Sequence, residues 1–361
     1  MKTLASVVVG LGESEVREIE VPEVGSDGGW MRVEATGVCG SDVGAYLKRQ
    51  GPDRILGHEV VGTVHQLGPD AERRWGLREG DRIMIEEYIP CGHCRLCRSG
   101  DARLCAETDT FAGGAGVIRF GSTGLDVAPG LWGGYSQYMY LHPNTMWHRV
   151  PESIPAHEVP LALPLSNGYE WAYREGGAAP GKAVIVIGPG QQGLGAVVAA
   201  KEAGASLVIV AGLTKDKGRL EMGERLGADR TVDVEQQSLV EVVRELTNGE
   251  MADVVVDVAA GNEQTLASGI DCLHMRGTMV CAVGEPTPTV NMGAMRARML
   301  TLKGVRGHSY RAVDWAIDYL AHGRLPYREI TAPALALSEV DAAIRRTGTS
   351  DVIHVSVDPW T

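Results

Sequence analysis

Apolar and polar positions follow two different rules along this chain, and the change falls near residue 165. Before it, short β-branched runs broken by Gly and Pro, such as Trp30 to Ala35 and Val60 to Leu67, predict the strands of an irregular β domain. The opening Met1-Lys-Thr-Leu-Ala-Ser-Val-Val-Val-Gly10 has the look of a short signal peptide, but its apolar stretch is brief and Glu13, Glu15 and Glu18 follow at once. It reads instead as a first strand. After residue 165, apolar runs at 183–188, 206–211, 231–234, 253–259, 278–284 and 300–305 are short enough for buried parallel strands, and the segments between them carry helix-period patterns. The expectation is an α/β chain: an irregular β domain over 1–164, completed by 305–361, and a doubly wound parallel sheet over 165–304. A helix is expected from Arg311 to His322, and the tail from Val352 to Val357 is expected to rejoin the first domain. The charges from Asp70 to Asp81 read as a solvated loop.

A length of 361 residues fits two domains rather than one. The formal net charge of −12 gives no reason to approach a nucleic-acid backbone, and no apolar run nears the roughly 18 residues of a membrane helix. Seven cysteines, four of them between Cys91 and Cys105, suit a reducing cytoplasm where thiolates hold metal. A cytoplasmic protein acting on a small molecule is therefore expected, with neither nucleic acid nor membrane as partner.

Three motifs carry chemistry. Cys91-Gly-His-Cys94-Arg-Leu-Cys97, followed by Cys105, lets four thiolates close a tetrahedron around one zinc. Upstream, Cys39 and His58 are zinc ligands of a different kind, and Glu59 can swing in as an oxygen ligand, leaving a position for water or substrate. Downstream, Gly188-Pro-Gly190-Gln-Gln192-Gly193 follows an apolar strand and precedes an Ala-rich helix. There the first glycine turns the chain and the second lets a dinucleotide pyrophosphate approach the helix N-terminus. The next strand ends Ala211-Gly212-Leu213-Thr214-Lys215-Asp216-Lys217-Gly-Arg219, with no carboxylate where one would hold the ribose hydroxyls of NAD. Lys215, Lys217 and Arg219 suit a 2′-phosphate, so the balance leans slightly to NADP with NAD left open.

The pattern Gly57-His58-Glu59-x-x-Gly62-x5-Gly68, after Cys39-Gly-Ser-Asp42 and before the four cysteines and the glycine motif, resembles the zinc-containing alcohol dehydrogenases of the medium-chain dehydrogenase/reductase superfamily. The resemblance runs through essentially the whole chain. It implies a GroES-like catalytic domain with a Rossmann domain, and a homodimer or homotetramer. It also implies zinc acting as a Lewis acid on an alcohol oxygen while hydride passes to nicotinamide. Carried over residue by residue, Cys39, His58 and Glu59 look like catalytic zinc ligands, Ser41 like the hydroxyl that relays the substrate proton, and Asp42 like the carboxylate that orients the ligand histidine. Cys91, Cys94, Cys97 and Cys105 match the structural zinc lobe, and Gly133-Gly134-Tyr135 the strand after the substrate loop. Gly188, Gly190, Gln192, Gly193, Gly212, Thr214, Lys215, Asn167, Val283 and Val305 fall at cofactor-contact positions.

Two departures stand out. Leu163 occupies the position of a further metal donor, so the site must use Glu59 or be weak or empty, and Gly44 replaces a histidine that often finishes the proton relay. The leading reading is an NAD(P)-dependent alcohol dehydrogenase or carbonyl reductase with one structural and one catalytic zinc. A zinc-free enoyl or quinone reductase of the same superfamily and a non-catalytic dinucleotide-binding protein are the alternatives. His142, His148 and His157 lie outside ligand spacing, Cys272 and Cys281 read as small buried hydrophobes, and packing serves for Trp132 and Trp147 as well as a pocket wall does.

Overall fold

The computed structural model of the chain describes residues 1–48, 51–109, 117–259, 263–283, 289–347, 349 and 352–361; residue 284, the end of the expected apolar run 278–284, lies outside them. Contacts divide the chain into two units, one of Met1–Ala162, Ile317–Ala321 and Thr331–Thr361, the other of Leu163–Ala316 and His322–Ile330. In chain order the strands are β1 (Lys2–Gly10), β2 (Glu13–Glu20), β3 (Gly29–Gly37), β4 (Glu59–Leu67), β5 (Arg82–Ile85), β6 (Tyr138–Leu141), β7 (Trp147–Arg149), β8 (Ala183–Ile187), β9 (Leu207–Gly212), β10 (Arg230–Asp233), β11 (Ala252–Asp257), β12 (Leu273–Cys281), β13 (Thr301–Gly304), β14 (Leu335–Ala336) and β15 (Ser356–Asp358).

The first unit is built on a sheet in the order β14-β15-β3-β4-β5-β7, with β6 also paired to β3 and with β1 and β2 as a separate antiparallel pair. Val33, Val60, Ile83, Ile85, Trp132 and Met139 belong to one apolar cluster, and Trp30, Tyr46, Leu56, Tyr135 and Val357 to another. Trp132 is thus a core residue. The register matters for chemistry, because the last residue of β3, Gly37, pairs with the first residue of β4, Glu59, and Ser356 of β15 pairs with Gly37 from the other side. Cys39, His58 and Glu59 therefore gather at one end of the β3–β4 ladder.

The second unit is a parallel sheet in the order β10-β9-β8-β11-β12-β13. Strands leave β8 first to one side and then, from β11, to the other, so the order reverses between β8 and β11, the place where doubly wound sheets bind ligands. Gly188 follows β8 there at φ 105°, and a Cβ on it would come within 2.9 Å of Ala259 N beyond β11, which reserves the position for glycine.

Two expectations need correction. Val305–Ala316 stays with the parallel sheet instead of leaving it at 305, because Val305 N continues the ladder to Cys281 O (2.9 Å) and Trp171 Nε1 donates to Gly307 O (3.0 Å). The segment 322–330 stays too, held by Tyr327 Oη donating to Gln191 O at 2.8 Å. The charged stretch after Gly68 is not all loop: Pro69–Trp75 forms a helix, with Pro at its start, Asp70 and Glu72 in its first turn and Arg73 and Arg74 in its last, as the helix dipole favours.

Asp253 ties the N-terminal edge of this sheet together by accepting from Lys182 Nζ (2.5 Å), Ala183 N (2.9 Å) and His274 Nε2 (2.8 Å). Burial alone would raise its pKa, but these donors outweigh it and hold the carboxyl below the ordinary 3.8. Its stabilisation is thus present above the unfolded-state value and lost as pH falls through it toward the lower folded value. Asp253→Asn should lower the stability of this unit by about 1–2 kcal/mol at neutral pH, with the deficit shrinking below about pH 4. Thermal unfolding of both proteins at the two pH values checks it; an equal deficit at both would remove the charge from the explanation.

Candidate metal and dinucleotide sites

Cys39 caps the helix Gly40–Leu47 with extended backbone, and Asp42, in the first turn of that helix, accepts from Cys39 N at 3.0 Å. The Asp42 carboxylate is 2% exposed and also faces His58 Nδ1 (3.3 Å), Gly57 N (3.4 Å) and Tyr135 Oη (3.3 Å). Burial and the Asp42 charge push the Tyr135 phenol well above its usual pKa, so it remains a donor. With Nδ1 facing Asp42, the His58 ring keeps Nε2 available, and one ligand atom from each of Cys39, His58 and Glu59 lies within 4.8 Å of the others. Ser41 Oγ is 3.4 Å from the same nitrogen.

The donor set suits a divalent cation. Burial followed by the Glu59 charge raises the Cys39 thiol pKa, and although burial disfavours a charged ring, the Asp42 and Glu87 carboxylates hold His58 well above the usual histidine value. The rise at His58, and the Glu59 contribution at Cys39, mark local negative charge that zinc would neutralise. Glu59 Oε2 is buried without a hydrogen-bond partner, as befits a carboxylate waiting for a metal. Leu163 is buried and no fourth side-chain donor joins the set among the described residues. Glu87, unmarked in the sequence, lies 3.8 Å from His58 Nε2 and is anchored by Arg119 through bonds of 3.1 and 2.5 Å.

The second cluster is Cys91, Cys94, Cys97 and Cys105, whose sulfurs also lie within 4.8 Å of one another. The Cys94–Cys97 and Cys91–Cys97 separations of 3.5 and 3.9 Å bracket the spacing of about 3.8 Å that tetrahedral bonds of about 2.3 Å impose, and none of the four is in a disulfide. Backbone N–H groups of Cys91, Cys94 and Cys97 point at sulfurs of the set, and the Cys105 pKa falls to about 6 as donors from Cys91, Thr108 and Glu107 outweigh burial. The cluster is a ready zinc cage. By contrast burial raises the Cys272 and Cys281 thiols to about 12 and 11, so both are inert.

On the parallel sheet, the helix Gln191–Glu202 begins at Gly190 with no side-chain cap, and a Cβ at Gly190 would meet nothing within 4 Å. Its first N–H groups are thus open to an anion. Gly193 packs directly under the turn, since a Cβ there would collide with Gly188 O. Gln191, 8% exposed, leaves Oε1 without a partner beside Gln192. Asn167 Oδ1 bonds His308 Nδ1 at 3.0 Å, while Val283 and Val305 follow β12 and β13 on the same C-terminal edge as Gly188. Gly212 ends β9 against Pro189, with Thr214 and Lys215 exposed beyond it.

That strand end is not free of acid. Thr214 Oγ1 donates to Asp233 Oδ2 (2.7 Å) and Thr214 N to Glu235 Oε2 (2.8 Å), because β10 runs parallel to β9 with Asp233 beside Gly212. Arg219 pairs with Asp216 at 3.6 Å and Lys217 with Glu221 at 4.0 Å.

Two family models match the chain: the alcohol dehydrogenase GroES-like domain over residues 26–152 and the zinc-binding dehydrogenase model over residues 193–322. A protein of Mycobacterium tuberculosis described as a probable alcohol dehydrogenase is 38% identical over 322 residues, 87% of this chain and 86% of its own length. The chain belongs to the zinc-dependent alcohol dehydrogenases of the medium-chain dehydrogenase/reductase superfamily. The erythritol/L-threitol dehydrogenase of Mycolicibacterium smegmatis is 30% identical, covering 77% of this chain and 75% of that one. The solved alcohol dehydrogenase of Thermus sp. ATN1 superposes with a TM-score of 0.84 at 25% identity over 98% of this chain and 99% of that one. The GroES-like and Rossmann architecture, zinc as metal, and NAD(P) as hydride carrier follow from that membership.

Gly193→Ala should weaken NAD(P) binding at least about tenfold, or about 1.4 kcal/mol, with metal content unchanged, because the new methyl must push the helix off the Gly188 turn. Nucleotide fluorescence titration beside elemental analysis reads both, and an unaltered Kd would take the cofactor off this turn.

Proposed function

We propose that Cys39, His58 and Glu59 hold the catalytic zinc of an NAD(P)-dependent alcohol dehydrogenase, and that Cys91, Cys94, Cys97 and Cys105 hold a structural one. Convergence of the first three at one end of the β3–β4 ladder carries the reading. When bound, zinc supplies Lewis-acid polarisation of the alcohol or carbonyl oxygen. Asp42 fixes the His58 ring through Nδ1, Ser41 Oγ stands beside Nε2 to take the substrate proton, and, with Gly44 offering no imidazole, exposed Ser41 passes it to water. Bound NAD(P) would supply the hydride acceptor, so that loss of hydride from the carbinol carbon and of the proton through Ser41 would give an aldehyde or ketone. Relatives named for erythritol, threitol and sorbitol make small polyhydroxylated alcohols the first substrates to try. We place the protein in the cytoplasm as a homodimer or homotetramer; β13 ends the sheet order, and exposed Met292, Met299 and Leu302 lie on and before it, a surface suited to a second copy. No helix among the described residues is long and apolar enough to cross a membrane.

Protein purified without chelator should carry two zinc atoms per chain, one for each ligand set. Cys39→Ala should remain folded, keep one zinc and bind cofactor, with turnover of a polyol panel lost, whereas Cys94→Ser should lose solubility or assembly, since a closed zinc site contributes folding energy. Full activity in the Cys39 variant would rule out zinc catalysis at this cluster.

The cofactor follows a balance of charge. Asp216, Asp233 and Glu235 surround the end of β9 against Lys215, with Arg219 already paired, so a 2′-phosphate of nearly two negative charges is disfavoured and we infer a preference for NAD. This reverses the lean to NADP that the strand end suggests in sequence. Glu235→Gln keeps an oxygen for Thr214 N and removes the charge; it should raise the NADP to NAD ratio of kcat/KM by about threefold to tenfold at low salt and less at high salt. A wild-type preference for NADP would overturn the inference.

A further inference from the structure

Glu59 Oε2 has a counterpart in the same state. His354 Nε2 is buried without a hydrogen-bond partner, and the two atoms face each other at 3.8 Å, their side chains 3% and 0% exposed. The sheet brings them together across 295 positions of sequence, as β15 and β4 flank Gly37. Only glycine serves at that point: a Cβ on Gly37 would collide with Glu59 Oε2 and come within 3.0 Å of His354 Nε2.

Thr331 Oγ1 lies 2.7 Å from His354 Nδ1, where the hydroxyl can donate to the ring. Because buried Nε2 faces the Glu59 carboxylate, an acceptor, we assign the ring proton to Nε2. A donor is thereby aimed at a carboxylate oxygen with no other partner. Ala332 N to His354 O, at 3.0 Å, holds the backbone in register.

We propose that His354 is a positioning residue for Glu59: its Nε2–H holds one carboxylate oxygen so that the other is presented to the zinc of Cys39 and His58. The proposal rests on the reading of that cluster as the catalytic metal site. A movement of Oε2 by about 1 Å converts the 3.8 Å approach into a hydrogen bond of about 2.9 Å. With Leu163 in place of a further donor, a wandering Glu59 would leave two protein ligands, so fixing its carboxylate decides whether metal stays. Partners of this kind typically change metal affinity 10- to 100-fold, by orienting a ligand rather than binding the ion.

The test reads the metal, not turnover. Zinc is counted after purification, its affinity measured by chelator competition, and the catalytic site reloaded with Co(II), whose visible absorption reports coordination. His354→Leu should loosen the catalytic metal about 10- to 100-fold and change the Co(II) spectrum, while the four-cysteine metal and the NAD(P) Kd stay at wild-type values. His354→Gln, which retains an N–H donor, should recover part of the affinity, and Thr331→Val, which releases the tautomer, should fall between. In a Glu59→Gln background His354→Leu should add little. An unchanged affinity and spectrum in His354→Leu, or the same additional loss with and without Glu59, overturns the proposal; should His354→Leu fail to fold, wild-type metal affinity in Thr331→Val overturns it instead. One zinc in the wild-type chain would overturn the metal-site reading itself, and so separates the two failures.

Discussion

The Asp42 carboxylate is the constraint on which the metal site depends. It binds the N–H of Cys39, faces the ring nitrogen of His58 and the backbone of Gly57, and accepts from Tyr135, so three separate chain segments are referred to one buried charge. An unpaired carboxylate at 2% exposure would cost several kcal/mol, and these donors offset that cost only when all three segments are in place. Ligand geometry is therefore a consequence of satisfying Asp42. A cation at the site would balance the negative charge that Asp42, Glu59 and Glu87 accumulate around Cys39 and His58.

On the proposed reading, the two clusters would divide the work of zinc along chemical lines. Four sulfurs from one fifteen-residue stretch, those of Cys91, Cys94 and Cys105 steadied by N–H groups within the set, form a closed group. Cys39, His58 and Glu59 come from two strand ends and, among the described residues, stop at three, which on the proposed reading would leave a coordination position open. Glu87, clamped by Arg119, adds charge beside that position without belonging to the set. A cage that only stabilises and a site that exchanges ligands differ in this count, not in the metal.

What was legible in the sequence is what local spacing controls. The four cysteines, the Gly188 turn and the Cys39-Gly-Ser-Asp42 motif depend on residues within a few positions of one another, so they are implicit in the order of residue types. Residues brought in by sheet pairing left no such trace. His354 reaches Glu59 only because β15 pairs with β3, and Asp233 and Glu235 reach Thr214 only because β10 runs beside β9. Alternating Asp233 and Glu235 at the end of an apolar run was the one available signal, and it sits on the strand after the one where an acid is usually sought. The boundary at 305 failed for the same reason: Val305 continues a ladder whose partner, Cys281, lies 24 residues away.

Glycine shows how far the same logic extends. Gly37, Gly188 and Gly193 each occupy a point where a methyl group would strike a functional atom or the turn that carries it, yet only Gly188 has a backbone angle that excludes other residues. At Gly37 and Gly193 the restriction comes from neighbours: the Glu59 carboxylate in one case, the Gly188 carbonyl in the other. Space at these points is part of the arrangement, since the Glu59 carboxylate occupies the room that Gly37 leaves and the helix N-terminus stays close beneath the Gly188 turn. Substituting either glycine would leave every ligand and every donor in the chain and still disturb the site, because the arrangement depends as much on where atoms are absent as on which residues are present.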